Sequence, residues 1–70
     1  MNTNKLKARM VENGDTLKDL SNALDISSTS CSMKVNQIRD FTITELSRIK
    51  RRYNLTAEEF EEIFFTEEVS

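Results

Sequence analysis

TLKDLSNALDISSTSCSMKVN, Thr16–Asn36, is the stretch whose reading decides the fold. Its first half sets Leu17, Leu20, Ala23 and Leu24 at helical spacing behind Thr16, whose hydroxyl suits the capping of exposed amides. That predicts a helix ending near Asp25. The second half opens with small hydroxyl and thiol side chains, Ser27–Ser32, which are weak helix formers. Yet Ser27 is a good N-cap, Ile26 is apolar enough to anchor a turn, and Cys31 and Val35 lie four apart on one face, with Ser30 or Lys34 beside them. A flexible linker needs none of those intervals. The segment is therefore expected to be a short helix held by packing, with Ser28, Thr29, Ser32 and Met33 facing out.

Outside this stretch the chain has no proline, one glycine and no alternating apolar run, so helices must carry the fold. A first helix is predicted over Asn4–Asn13, with Leu6 and Met10 on one face and Gly14 as its left-handed stop. In FTITEL, residues 41–46, Thr42 and Glu45 form a capping box, and Phe41 and Leu46 occupy the two positions of a hydrophobic staple. LTAEEF, residues 55–60, repeats the device with Thr56 and Glu59 as the box and Leu55 and Phe60 as the staple. Ile43, Leu46, Ile49 and Tyr53 then define the buried face of a fourth helix, and Phe60, Ile63 and Phe64 that of a fifth. The expectation is an all-α domain of five helices over residues 1–66. Residues 67–70 read as a fraying acidic tail.

Seventy residues fit one domain. No apolar run approaches the ~18 residues that span a membrane, and no secretory signal is evident, so a cytoplasmic location without membrane contact is expected. With a single cysteine and no histidine, the chain offers no internal disulfide, no zinc set and no nucleophile–base pair. We expect no catalysis, no metal and no cofactor, and Cys31 is read as a small buried hydrophobe. The net charge of −2 conceals a segregation. Residues 1–53 hold all ten Lys and Arg against six acids, a net of +4, and residues 54–70 hold six acids and no base. A basic body of that kind permits contact with a polyanion. Lys50, Arg51 and Arg52 read as cations suited to a helix C-terminus that also oppose the acids of the next helix, a seam between body and tail.

Two short helices joined by a tight turn, the second with one small apolar face, have the layout of a helix-turn-helix. Thr16–Asn36 resembles that motif in the phage repressor and Cro family (XRE-type regulators). The surrounding plan, with its ending NLTAEEFEEIFF, is similar to small phage-encoded members; the likeness spans Asn4–Phe65. It rests on Thr16 as cap, Leu20 and Leu24 as core positions, Ile26 and Ser27 as turn and next cap, and Cys31 and Val35 as the inner face of the recognition helix. Departures are Asp25 where Gly is usual, Leu17 for a frequent Gln, Ser21 for a usual Ala, and Cys31 for a larger apolar residue.

The resemblance implies a lambda-repressor-like fold and a sequence-specific DNA-binding transcriptional regulator acting on double-stranded DNA. It places Ser28, Thr29, Ser32 and Met33 in the major groove and Asn36 near a phosphate; with DNA as the partner, Lys5, Arg9, Thr16, Lys34 and Arg39 are the further phosphate candidates. None of the groove residues makes the bidentate contacts of Arg, Gln or Asn, so direct readout should be shallow, with DNA shape and dimer spacing carrying specificity. Half-site recognition implies a homodimer, for which Phe64 and Phe65 of the last helix are candidates. The alternative is a modulator or antirepressor that keeps the fold and binds another phage repressor, through an apolar patch of Leu17 and Met33, with little or no DNA binding.

Overall fold

A computed structural model of the protein describes residues 1–65; Thr66 and the tail read over residues 67–70 lie outside the described residues. Five helices follow one another: α1 (Thr3–Glu12), α2 (Leu17–Leu24), α3 (Ser28–Val35), α4 (Ile43–Arg52) and α5 (Ala57–Phe64). The fold is all-α. Helix α1 starts one residue earlier than its periodicity suggested, because Asn2 caps it by accepting the Lys5 amide hydrogen at 3.1 Å.

Each helix start is closed by a polar side chain that satisfies an orphan amide. The boxes read at Thr42–Glu45 and Thr56–Glu59 are both formed, and α2 has a third, Thr16–Asp19. Each end from α1 to α4 closes in one way. Asp15, Ile26, Ile38 and Leu55 donate their amides back to Met10, Ser21, Met33 and Lys50, while the residue before each donates to the next carbonyl along. This paired 6→1 and 5→2 pattern requires a left-handed residue just past the helix, here Gly14, Asp25, Gln37 and Asn54 at φ 67°, 58°, 64° and 50°. So Asp25 adopts the conformation in which glycine is usual, and its backbone compresses the link between α2 and α3 to residues 25–27.

All five helices feed one core. Leu6 and Met10 come from α1, Leu20 and Leu24 from α2, Cys31 and Val35 from α3, Ile49 from α4 and Ile63 from α5, with Tyr53 and Leu55 from the α4–α5 turn. Phe60 and Phe64 are half-buried against it. The expected inner face of α4 needs correction at its first turn. Ile43 is 86% exposed and Leu46 only half-buried, while Glu45 is buried. The helix is rotated so that Glu45, Ile49 and Tyr53, spaced by four, face inward; a carboxylate takes a position that apolar patterning assigns to a hydrophobe.

The seam expected between the α4 cations and the α5 acids is also arranged differently. Arg52 pairs with Asp15 in the α1–α2 turn, and Lys50 lies over the Phe60 ring at 5.6 Å. The α5 acids are met by α1: Arg9 pairs with Glu59, and Lys5 Nζ lies 3.7 Å from Glu62. No described helix is long and apolar enough to cross a membrane.

Candidate nucleic-acid interface

Helix α3 is positioned by its inner face, which its spacing announces, and by two polar contacts, which it does not. Its inner side chains, Cys31 and Val35, are fully buried, and burial pushes the Cys31 thiol pKa up, away from a reactive thiolate. Ser21 is buried where α2 meets α3; its hydroxyl donates to the Lys18 carbonyl at 2.7 Å and lies 3.5 Å from the Ser28 hydroxyl. At the far end, Thr3 donates to the Val35 carbonyl at 3.0 Å and accepts from Gln37 at 2.9 Å, tying the start of α1 to the end of α3. A helix of weak intrinsic propensity is thus fixed by tertiary bonds.

The groove candidates do not stand alike. Ser28 and Thr29, in the first turn of α3, are exposed, whereas Ser32 and Met33 are half-buried. Leu17 is half-buried and packed on the core, which limits the apolar patch it can share with Met33.

Of the phosphate candidates, most are already engaged. Lys5 and Arg9 face Glu62 and Glu59, with Arg9 also 3.3 Å from Glu12. Lys34 donates to both carboxylate oxygens of Glu45, at 2.6 and 2.8 Å, and the two side chains retain 13% and 8% of their exposure. Burial alone would push the Glu45 carboxyl up, but the Lys34 ammonium and the Thr42 amide outweigh it and hold the group below the usual carboxylate range. Thr16 gives its hydroxyl and its amide hydrogen to Asp19. The side-chain nitrogen of Asn36 is turned to Ser32, whose carbonyl lies 2.9 Å away. Arg39 is exposed and, among the described residues, makes no ion pair.

Lys34 and Arg39 line one open cleft of about 280 Å³, together with Met1, Gln37, Asp40, Phe41, Leu46 and Phe64. Next to it runs an aromatic array. Phe64 meets Phe41 edge-on at 6.1 Å and Phe60 at 4.9 Å, and Phe60 meets Phe65 at 5.7 Å. Phe65, at its end, is 68% exposed. Among the described residues no cluster of three His, Cys, Asp or Glu side chains is placed to hold a metal ion.

Contacts between residues distant in the chain leave no local signal in the sequence. The Lys34–Glu45 pair spans eleven residues and the Asp15–Arg52–Tyr53 cluster nearly forty. The α2 capping box was legible in TLKD, residues 16–19, once Asp is allowed in the place of Glu. Compared with known proteins, the chain matches no family model, no curated protein and no solved structure.

Proposed function

We propose that the protein is a DNA-binding regulator of the phage repressor and Cro kind, with a helix-turn-helix formed by α2 and α3 and the first turn of α3 entering the major groove. One observation carries the reading: the exposed face of α3 opens on Ser28 and Thr29, short side chains on a helix locked to α2 through the left-handed Asp25 turn. Small hydroxyls let the helix backbone approach base edges, and the amino end of a helix favours the phosphates beside it. Arg39, exposed beyond the end of α3, is the cation best placed for a phosphate.

Phosphate contact has a measurable signature in salt dependence. Duplex binding by the intact chain should fall steeply as salt rises. Arg39→Ala is expected to reduce the slope by about 0.9 and the low-salt affinity by about three- to tenfold, read by anisotropy of a labelled duplex. An unchanged slope would remove Arg39 from the interface.

The domain measures 28 × 24 × 22 Å, so two copies side by side suit half-sites one helical turn, about 34 Å, apart. We assign the dimer contact to the exposed end of the aromatic array, Phe65 with Phe60 behind it and Phe64 beyond. Sedimentation of the intact chain as monomer at high concentration would remove that assignment.

A second reading, a modulator that binds another repressor, is favoured by one observation: Lys5, Arg9 and Lys34 are all neutralised by carboxylates. Such a protein would bind its partner with little salt dependence and leave duplex DNA alone.

A further inference from the structure

We infer that Glu45 is an internal competitor for DNA phosphate: it holds Lys34 in place of the backbone anion and so lowers the affinity of the α3 face. The inference rests on the proposal that α3 faces DNA, and it concerns the strength of that contact.

Lys34 stands in the last turn of α3, where a cation would reinforce binding beside the recognition helix. Its ammonium is instead chelated by both oxygens of Glu45, a bidentate pairing with little solvent access. The carboxylate is fixed by a second duty. It closes the α4 capping box by accepting the Thr42 amide hydrogen at 2.8 Å, so it cannot swing away without opening the start of α4. Lys34 also lines the open cleft that Arg39 borders. Once its counter-ion loses its charge, the ammonium can extend into a cleft already edged by the Arg39 guanidinium, which makes no ion pair among the described residues. Two cations, Lys34 and Arg39, would then share one phosphate-facing rim where the wild type offers one.

Glu45→Gln tests this because it keeps the volume and retains an amide oxygen for the Thr42 amide while removing the charge. Binding of a labelled duplex of mixed sequence is measured across a salt series, since the phosphate contribution does not depend on base sequence. Four chains are compared: wild type, Glu45→Gln, Glu45→Gln with Lys34→Met, and Glu58→Gln, which makes the same charge change at an exposed site on α5. The expected result is a gain of about three- to tenfold for Glu45→Gln and a salt slope steeper by about 0.9. The gain should exceed that of Glu58→Gln and vanish when Lys34 is replaced.

Wild-type binding with no gain, or a gain that survives Lys34→Met, overturns the competitor role and leaves the DNA reading standing. Failure of the wild type and every folded variant to bind duplex overturns the DNA reading and the competitor with it. Should Glu45→Gln not fold by circular dichroism, lysine acylation of the wild type decides. Lys34 is expected to react more slowly than exposed Lys7 and Lys18; reaction of Lys34 at the rate of those two overturns the inference.

Discussion

Asp15→Ala is expected to lower stability by about 2–3 kcal/mol and the melting temperature by about 10–20 °C, measured by urea and thermal denaturation. Three bonds converge on this one carboxylate. Arg52 donates to both oxygens, at 2.6 and 2.7 Å, and the Tyr53 hydroxyl donates at 2.7 Å. The Asp15 side chain is only 8% exposed, although Arg52 keeps 36%, so the pair has less worth than a fully buried one and more than a surface bridge. Removing the carboxylate strands a guanidinium and a buried phenol at once. A domain of 70 residues has only about 4–10 kcal/mol in hand, so the loss is a large share of it. Retention of wild-type stability would show that solvent replaces all three bonds.

The same cluster sets a pH dependence whose sign is fixed. The Arg52 guanidinium, against the opposing effect of burial and with help from Tyr53, holds the Asp15 carboxyl below the usual carboxylate range. A carboxyl whose folded pKa lies below its unfolded value of about 3.9 stabilises the protein fully above that value. That contribution is lost as pH falls through the folded pKa. The stability gap between wild type and Asp15→Ala should therefore be constant near neutrality and close below about pH 4. On the Tyr53 side, burial and then the Asp15 carboxylate raise the phenol pKa, so the hydroxyl remains a donor throughout.

What the sequence disclosed follows the range of the interactions concerned. Caps and boxes depend on residues three apart, and Thr42–Glu45 and Thr56–Glu59 form as their spacing indicated. The inner residues of α1 to α3 obey helical periodicity with apolar side chains, and they too were legible. The rotation of α4 was not. Ile43 satisfies every local rule for an inward residue, yet it is exposed because the helix turns Glu45 toward Lys34. A charged residue enters a core only with a partner, and a partner eleven positions away on another helix has no periodic signature. The candidate interface divides in the same way. That Ser28 and Thr29 lie outside Cys31 and Val35 follows from the period, whereas the neutralisation of Lys5, Arg9 and Lys34 depends on how distant helices meet.

Thr29→Glu should separate folding from function more sharply than any other single change in α3. Thr29 is exposed in the first turn of the helix, away from the Ser27 cap and the Ser21–Ser28 contact. A carboxylate there faces the positive end of the helix dipole, and the first turn of α3 holds no acid at present. Folding should therefore be unchanged or favoured by about 0.3–1 kcal/mol. Toward a duplex the same carboxylate meets phosphates and electronegative base edges at close range, where like-charge juxtaposition costs several kcal/mol. The expected outcome is a melting temperature equal to or above wild type together with a loss of at least about 100-fold in duplex affinity, too large for a change of one unit in net charge acting at a distance. Screening gives an internal check, because raising salt would weaken a remote electrostatic effect while leaving a groove clash in place. Binding within about threefold of wild type at low salt would move the α3 face away from DNA and leave the repressor-binding modulator as the better account of the exposed hydroxyls.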